Sequence, residues 1–154
     1  MYHSIRNTKK GEPMRSINVA PKAFYKQMWI LKALGYKAVS VTTAIESKKS
    51  GNDEKMVALT FDDGYLNFLT EAMPVLREFK FSATVYVVSG LVGQNNKWDI
   101  ASGIKEQPLM SWDQLGSVCA ANFEIGSHTC THPSLTKSTA DLCREIAGSK
   151  VTLE

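Results

Sequence analysis

A chain of 154 residues has the length of one domain with one hydrophobic core. Its hydrophobic share of 44% and charged share of 21% are an ordinary globular balance, which excludes an intrinsically disordered chain. The net charge of +3 is small and the basic residues are scattered, which argues against a face that tracks nucleic-acid phosphates.

The elements follow in chain order. Positions 1–6, Met-Tyr-His-Ser-Ile-Arg, lack the apolar run of a signal peptide. As written the chain reads as cytoplasmic; a targeting segment trimmed from this end would make it periplasmic or extracellular. Residues 2–5 fit a short strand. Pro21 opens a helix in which Phe24, Met28, Leu31 and Leu34 recur at helical spacing, and Gly35 ends it. A short β-branched run at 37–41 reads as a strand, followed by a single helical turn at 43–46. The mixed-sign run 48–55 contains Gly51 and Asn52 and reads as a solvated loop. Residues 56–61 form an apolar strand that stops at Asp62-Asp63-Gly64. A helix follows from Leu66 and restarts at Pro74, since proline fits a first helical turn and not a helix interior. Residues 83–88 read as a strand covered on both faces, residues 90–107 as a polar loop, 112–121 as a helix, 123–126 as a strand and 128–133 as a loop. Ser138, with Asp141 three residues on, resembles a capping box opening a last helix. No stretch is long enough to span a bilayer. Cys119, Cys130 and Cys143 are odd in number and lack CxxC spacing, which favours free thiols.

Alternating strands and helices predict an α/β fold with a parallel sheet, open or closed into a barrel. Such folds gather their sites at the C-terminal ends of strands. Two polar clusters, Asp62-Asp63 and the segment from His128 to His132, each fall just after a predicted strand, which points to a shared site.

Adjacent acids at the end of an apolar strand need compensation. Consecutive side chains diverge, so one carboxylate can bind a cation while the other takes a proton, and Gly64 permits the sharp turn. The alternative is an Asx-type turn closing the strand. His128 and His132, four apart, can converge on one metal; the alternative is a chance surface pair. Pro133 argues against a continuous helix here and for an extended His132. Cys130 between them could be a further ligand; the favoured reading is a small buried filler that points away from the face shared by positions 128 and 132. Two imidazoles and one carboxylate suit Zn²⁺ hydrolysis or Fe²⁺ oxygen chemistry. A spare carboxylate favours hydrolysis, because activated water needs a general base.

Thr60-Phe61-Asp62-Asp63-Gly64 followed by His128-Thr129-Cys130-Thr131-His132-Pro133 resembles the first two signature motifs of the polysaccharide deacetylase (NodB-homology) family, carbohydrate esterase family 4. The segment Ala83-Thr84-Val85-Tyr86-Val87, the helix start at Ser111-Trp112, and Glu145-Ile146 with Ser149-Lys150 fit the same pattern. The front segment, Met1-Tyr2-His3-Ser4-Ile5 with Leu34-Gly35-Tyr36, is similar to the branch acting on extracellular or surface polysaccharides. The resemblance implies an irregular TIM-like (β/α) barrel, with Asp62 as general base and Asp63, His128 and His132 as ligands of a divalent metal, Zn²⁺ first. It implies that acetyl groups are removed from an N-acetylated amino-sugar polysaccharide or oligosaccharide.

In that family the second half brings an arginine that orients the base, aromatic residues of the acetyl pocket and a Leu-x-x-His motif with the general acid. None of these follows the second motif here. Residues 1–154 are therefore expected to hold an incomplete barrel with an open sheet edge that invites self-association. Three rival readings stand beside N-deacetylation. One is an O-acetyl esterase on xylan or a related glycan. Another is a metal- or glycan-binding fragment without turnover. The third is a metal-dependent oxygenase, which lacks the double-stranded β-helix to host it.

Overall fold

The computed structural model describes residues 1–13, 15–52, 54–136 and 141–154. Strand β1 (Ser4–Ile5) pairs in parallel with β2 (Asn18–Val19). Helix α1 (Pro21–Ala33) starts on its proline and buries Phe24 and Met28, one helical turn apart. Gly35 ends it in the left-handed conformation, φ 76°. Strand β3 (Lys37–Val39) leads into helix α2 (Val41–Lys49), which is longer than the single turn expected. Its start is fixed by Ser40, whose side chain accepts a hydrogen bond from Thr43 N.

The apolar run at 56–61 is two strands, not one. Strand β4 (Met56–Ala58) pairs with β3, while β5 (Thr60–Phe61) pairs with β6 (Thr84–Val87). Leu59 is the switch. Its N–H donates to Val39 O at 3.1 Å and its carbonyl accepts from Thr84 N at 2.9 Å, so the chain changes neighbours at that residue. Strand β6 also pairs in parallel with β7 (Glu124–Ser127). The small sheets join through backbone bonds: Tyr2 N donates to Thr60 O, and Asp62 N donates to Tyr2 O.

The helix after β5 opens at Leu66, as expected, and widens into a π segment, Phe68–Ala72, before helix α3 (Met73–Glu78). Pro74 lacks an N–H and its ring would press on the carbonyl one turn back, so the widened turn sits where a regular one would be crowded. The segment 90–107 carries more order than a polar loop. It contains a 3₁₀ turn, Lys97–Ser102, and fully buried Asn96. Helix α4 (Trp112–Ala120) begins with a complete capping box between Ser111 and Gln114. The expected cap at Ser138 lies outside the described residues. Asp141 itself caps the final helical stretch, its Oδ1 accepting from Arg144 N at 3.1 Å. That stretch runs through a π segment, Cys143–Gly148, into α5 (Ser149–Leu153).

The result is the expected α/β class: an arc of parallel strands over a core built from Phe24, Phe61, Phe68, Leu76, Val85 and Val118. The outer edge of β7 has no strand partner among the described residues. A cavity of about 580 Å³ lies along it, lined by Ile125, Ile146 and Leu153 among others. The three cysteines are free. No helix among the described residues is long and apolar enough to cross a membrane.

Candidate metal centre

Strands β5 and β7 flank β6 in parallel, so their C-terminal ends open on the same side. The two polar clusters follow those ends directly. After Phe61 the chain turns through Asp63 and Gly64, both left-handed with φ 73°. Aspartate tolerates this conformation better than most residues, and glycine meets no penalty there. The turn drives the Asp63 side chain inward, where only 3% of the residue remains exposed.

After β7, His128 N donates to Val87 O at 2.9 Å, which extends the pairing with β6 as far as His128. The chain then loops back with Thr129 (φ 67°) and His132 (φ 59°) left-handed. There is thus no continuous helix before Pro133, as expected, but His132 is left-handed and not extended. Proline disfavours the right-handed helical region for the residue before it. The tight turn selects the left-handed alternative, with His132 N donating to Thr129 Oγ1 at 3.0 Å.

These turns bring Asp63, His128 and His132 together. Asp63 Oδ1 stands 3.3 Å from His128 Nε2 and 3.4 Å from His132 Nε2. One ligand atom from each residue lies within 4.8 Å of the others. Asp63 Oδ1 is buried yet makes no hydrogen bond of proper geometry. An orphaned carboxylate oxygen between two imidazole nitrogens is the arrangement a shared cation completes. The donors present therefore fit a divalent metal, and an N₂O set suits zinc. Burial pushes the Asp63 carboxyl up, but the two imidazoles outweigh it and hold it well below the carboxylate range. His128 is raised by its contact with Asp63, against the opposing effect of burial.

Asp62 projects elsewhere, as adjacent residues must. Burial raises its pKa, opposed by His128 and His3. His3 Nε2 lies 3.9 Å from Asp62 Oδ2. Sequence reasoning gave His3 no role, because 59 positions separate the pair; the Tyr2–Phe61 bridge is what brings them together. Two aromatic rings border the imidazoles. Trp98 stacks on His132 with ring centroids 4.6 Å apart, and Tyr86 lies 6.5 Å from His128. Trp98 was hidden in the segment read as a polar loop. A buried chain of polar groups anchors that segment: Gln107 N donates to Asn96 Oδ1 at 2.7 Å, and Asn96 Nδ2 and Tyr65 OH both donate to Asp99 Oδ2. Cys130 turns away from the triad, its Sγ donating to Arg144 O at 3.2 Å.

Comparison with known proteins finds relatives of the whole chain. The family model for polysaccharide deacetylase matches residues 49–153. The poly-beta-1,6-N-acetyl-D-glucosamine N-deacetylase of Escherichia coli is 28% identical over 134 residues, covering 83% of this chain and 20% of that protein. Among solved structures, the Streptococcus pyogenes deacetylase PplD, in complex with acetate, superposes with a TM-score of 0.77 at 26% identity. The match covers 99% of this chain and 65% of that one. A polysaccharide deacetylase from Bacillus cereus gives a TM-score of 0.78 at 29% identity, covering 100% of this chain and 45% of that one. The chain thus spans between 16% and 48% of the length of the curated relatives it matches over three quarters or more of its residues.

Proposed function

The chain belongs to the polysaccharide deacetylase family, and from that premise we propose that its Asp63, His128 and His132 belong to a metal-dependent site that removes acetyl groups from an N-acetylated amino-sugar polysaccharide. The observation that carries this reading is the convergence of Asp63, His128 and His132 beside a second, free carboxylate, Asp62. A divalent cation, zinc first, supplies Lewis acidity towards a carbonyl oxygen and makes water acidic enough to react near neutral pH.

The chain's own residues do the rest. Asp63, buried and ionised, and the imidazoles of His128 and His132 would hold the cation. Asp62, 12% exposed at its side chain, stays out of that set and takes the proton from the attacking water. Trp98 and Tyr86 give the rim of the site apolar surface against which a sugar ring can lie. The relatives named above support an amide substrate, since one is an N-deacetylase of a glucosamine polymer.

The edge of β7, which has no strand partner among the described residues, and the apolar cavity beside it support a further proposal, that this chain self-associates through that edge. Light scattering across a concentration series tests it, and a monomer throughout would dismiss it. The catalytic reading is tested by incubating the protein with zinc and N-acetylated glucosamine oligomers and measuring released acetate and free amine. Release by the wild type and about 10²- to 10⁴-fold slower release by Asp62→Asn is expected. Equal release by both would overturn the assignment of the base.

A further inference from the structure

Glu145 takes no part in the reaction as proposed, yet three hydrogen bonds tie it to the loop that carries two of the site's residues. It lies in the π segment Cys143–Gly148 and is 5% exposed. Its Oε2 accepts from Cys130 N at 2.8 Å and from Thr131 N at 2.9 Å, and its Oε1 accepts from Thr131 Oγ1 at 2.8 Å. All three donors belong to the short stretch between His128 and His132. Burial raises the carboxyl's pKa, but these bonds outweigh it and keep the group below its ordinary value.

The same stretch is held from its other side. Ser89 N donates to Thr129 O at 3.0 Å and Gly90 N donates to Cys130 O at 2.9 Å. The loop's N–H groups are thus gripped by one carboxylate and its carbonyls by the chain after β6. Thr129 and His132 are both left-handed, and such residues persist only where the surroundings over-determine them. Loss of the carboxylate's grip would leave these left-handed residues less constrained, and His132 with them.

We propose that Glu145 is a positioning residue for the metal centre, its carboxylate holding the loop between His128 and His132 in the one shape that presents both Nε2 atoms to Asp63. This rests on the reading that Asp63, His128 and His132 bind a divalent cation. Groups that orient metal ligands typically change affinity by about 10- to 100-fold when removed. Glu145 differs from the usual orienting group in acting on the backbone between the ligands and not on an imidazole.

Three variants separate positioning from packing. Glu145→Gln keeps the length of the side chain, an oxygen for both N–H groups, and an amide that donates to Thr131 Oγ1. Glu145→Ala removes every acceptor. Glu145→Asp keeps the charge but shortens the arm. Zinc affinity by chelator competition, the absorption spectrum of the cobalt-loaded protein, and amide exchange at Cys130 and Thr131 in metal-free protein are measured for each. Glu145→Gln is expected to match the wild type in all three. Glu145→Ala is expected to bind zinc about 10- to 100-fold more weakly, with an altered cobalt spectrum and faster exchange at both amides. Should Glu145→Ala fail to fold, Glu145→Asp decides, with an intermediate loss expected. Wild-type affinity and spectrum in Glu145→Ala or Glu145→Asp would overturn the proposal, as would a loss in Glu145→Gln equal to that in Glu145→Ala. A wild type that takes up no cation would instead bring down the metal reading, and this proposal with it.

Discussion

Gly90 faces Cys130 so closely that a Cβ built on it would stand 2.6 Å from the Cys130 carbonyl oxygen, the same oxygen to which Gly90 N donates at 2.9 Å. Gly90 is therefore required for space and not for an unusual backbone angle. The atom in the way is backbone, so no side chain can swing aside to make room. Gly90→Ala is expected to push the loop between His128 and His132 outward, costing about 1–3 kcal/mol of stability by overpacking. Zinc affinity should fall with it. Gly116, inside α4, is the control: a methyl group added there would meet nothing within 4 Å. Gly116→Ala should stabilise by roughly 0.5–1 kcal/mol through helix propensity alone. Urea unfolding and zinc titration of both variants check the contrast; equal behaviour would show that the Gly90 contact is not limiting.

Asp62 and Asp63 should separate cleanly by mutation. Asp63→Ala removes the anionic ligand and leaves two imidazoles facing a void, so zinc uptake and turnover should vanish together. Asp62→Asn should keep stoichiometric zinc while turnover drops about 10²- to 10⁴-fold, the usual range for losing a positioned base. Metal analysis beside acetate release checks it. Loss of zinc in Asp62→Asn would mean that the two aspartates exchange roles.

Much of this site could be read from the sequence because each half is local. Asp62-Asp63-Gly64 and His128 to His132 are short motifs at strand ends, and neither depends on distant packing to be recognised. Phe24 and Met28 announce α1 for the same reason. The missing parts depend on tertiary neighbours. Residues 56–61 are apolar throughout, and nothing local marks Leu59 as the point where the strand changes partners. His3 reaches Asp62 only because Tyr2 pairs with Phe61. The left-handed His132 reflects a turn closed by Thr129, which overrides the extended preference before proline. Ser40 was a legible signal passed over: a serine three residues ahead of Thr43 is an ordinary N-cap, and it lengthens α2 beyond one turn.

Protonation gives the metal-free and zinc-loaded proteins opposite pH responses. Without metal, the His128–Asp63 pair stabilises the fold only when the imidazole is charged and the carboxyl ionised. The raised His128 pKa means that its contribution is complete below the ordinary imidazole value of about 6.5 and is lost as pH rises through the folded value. The lowered Asp63 pKa means that its contribution is complete above the ordinary carboxylate value of about 3.9 and is lost as pH falls through the folded value. The pair therefore contributes most between about pH 4 and 6.5. Zinc competes with the proton on His128, so affinity should climb with pH across the range where the metal-free pair weakens. Denaturation curves of chelator-treated and zinc-loaded protein from pH 4 to 9 check this; curves that run parallel would contradict it.

Phe61 links the core to the site, and its truncation should be felt in both. The ring is 1% exposed, stacked on Tyr2 at 5.2 Å and set edge-on to Phe68 at 4.8 Å and Phe24 at 5.8 Å. It immediately precedes Asp62. Phe61→Ala removes a whole ring from the centre of an aromatic cluster, a change that costs about 3–5 kcal/mol where neighbours cannot collapse into the space. Tyr2, Phe24 and Phe68 are rigid and held by separate elements, so the cavity should stay largely open. Typical domains have only about 5–15 kcal/mol in total, so the variant should fold but unfold at far lower denaturant. Phe61→Leu refills most of the volume and should lose much less. The Tyr2 ring rests on Phe61, and Tyr2 carries the neighbouring His3 to Asp62. Phe61→Ala should therefore also disturb the placement of Asp62, which directly follows it, and reduce turnover beyond what its unfolded fraction explains, at unchanged zinc content. Urea midpoints, turnover per folded molecule and bound zinc are measured together. Full activity per folded molecule in Phe61→Ala would show that the core can shift without moving the base.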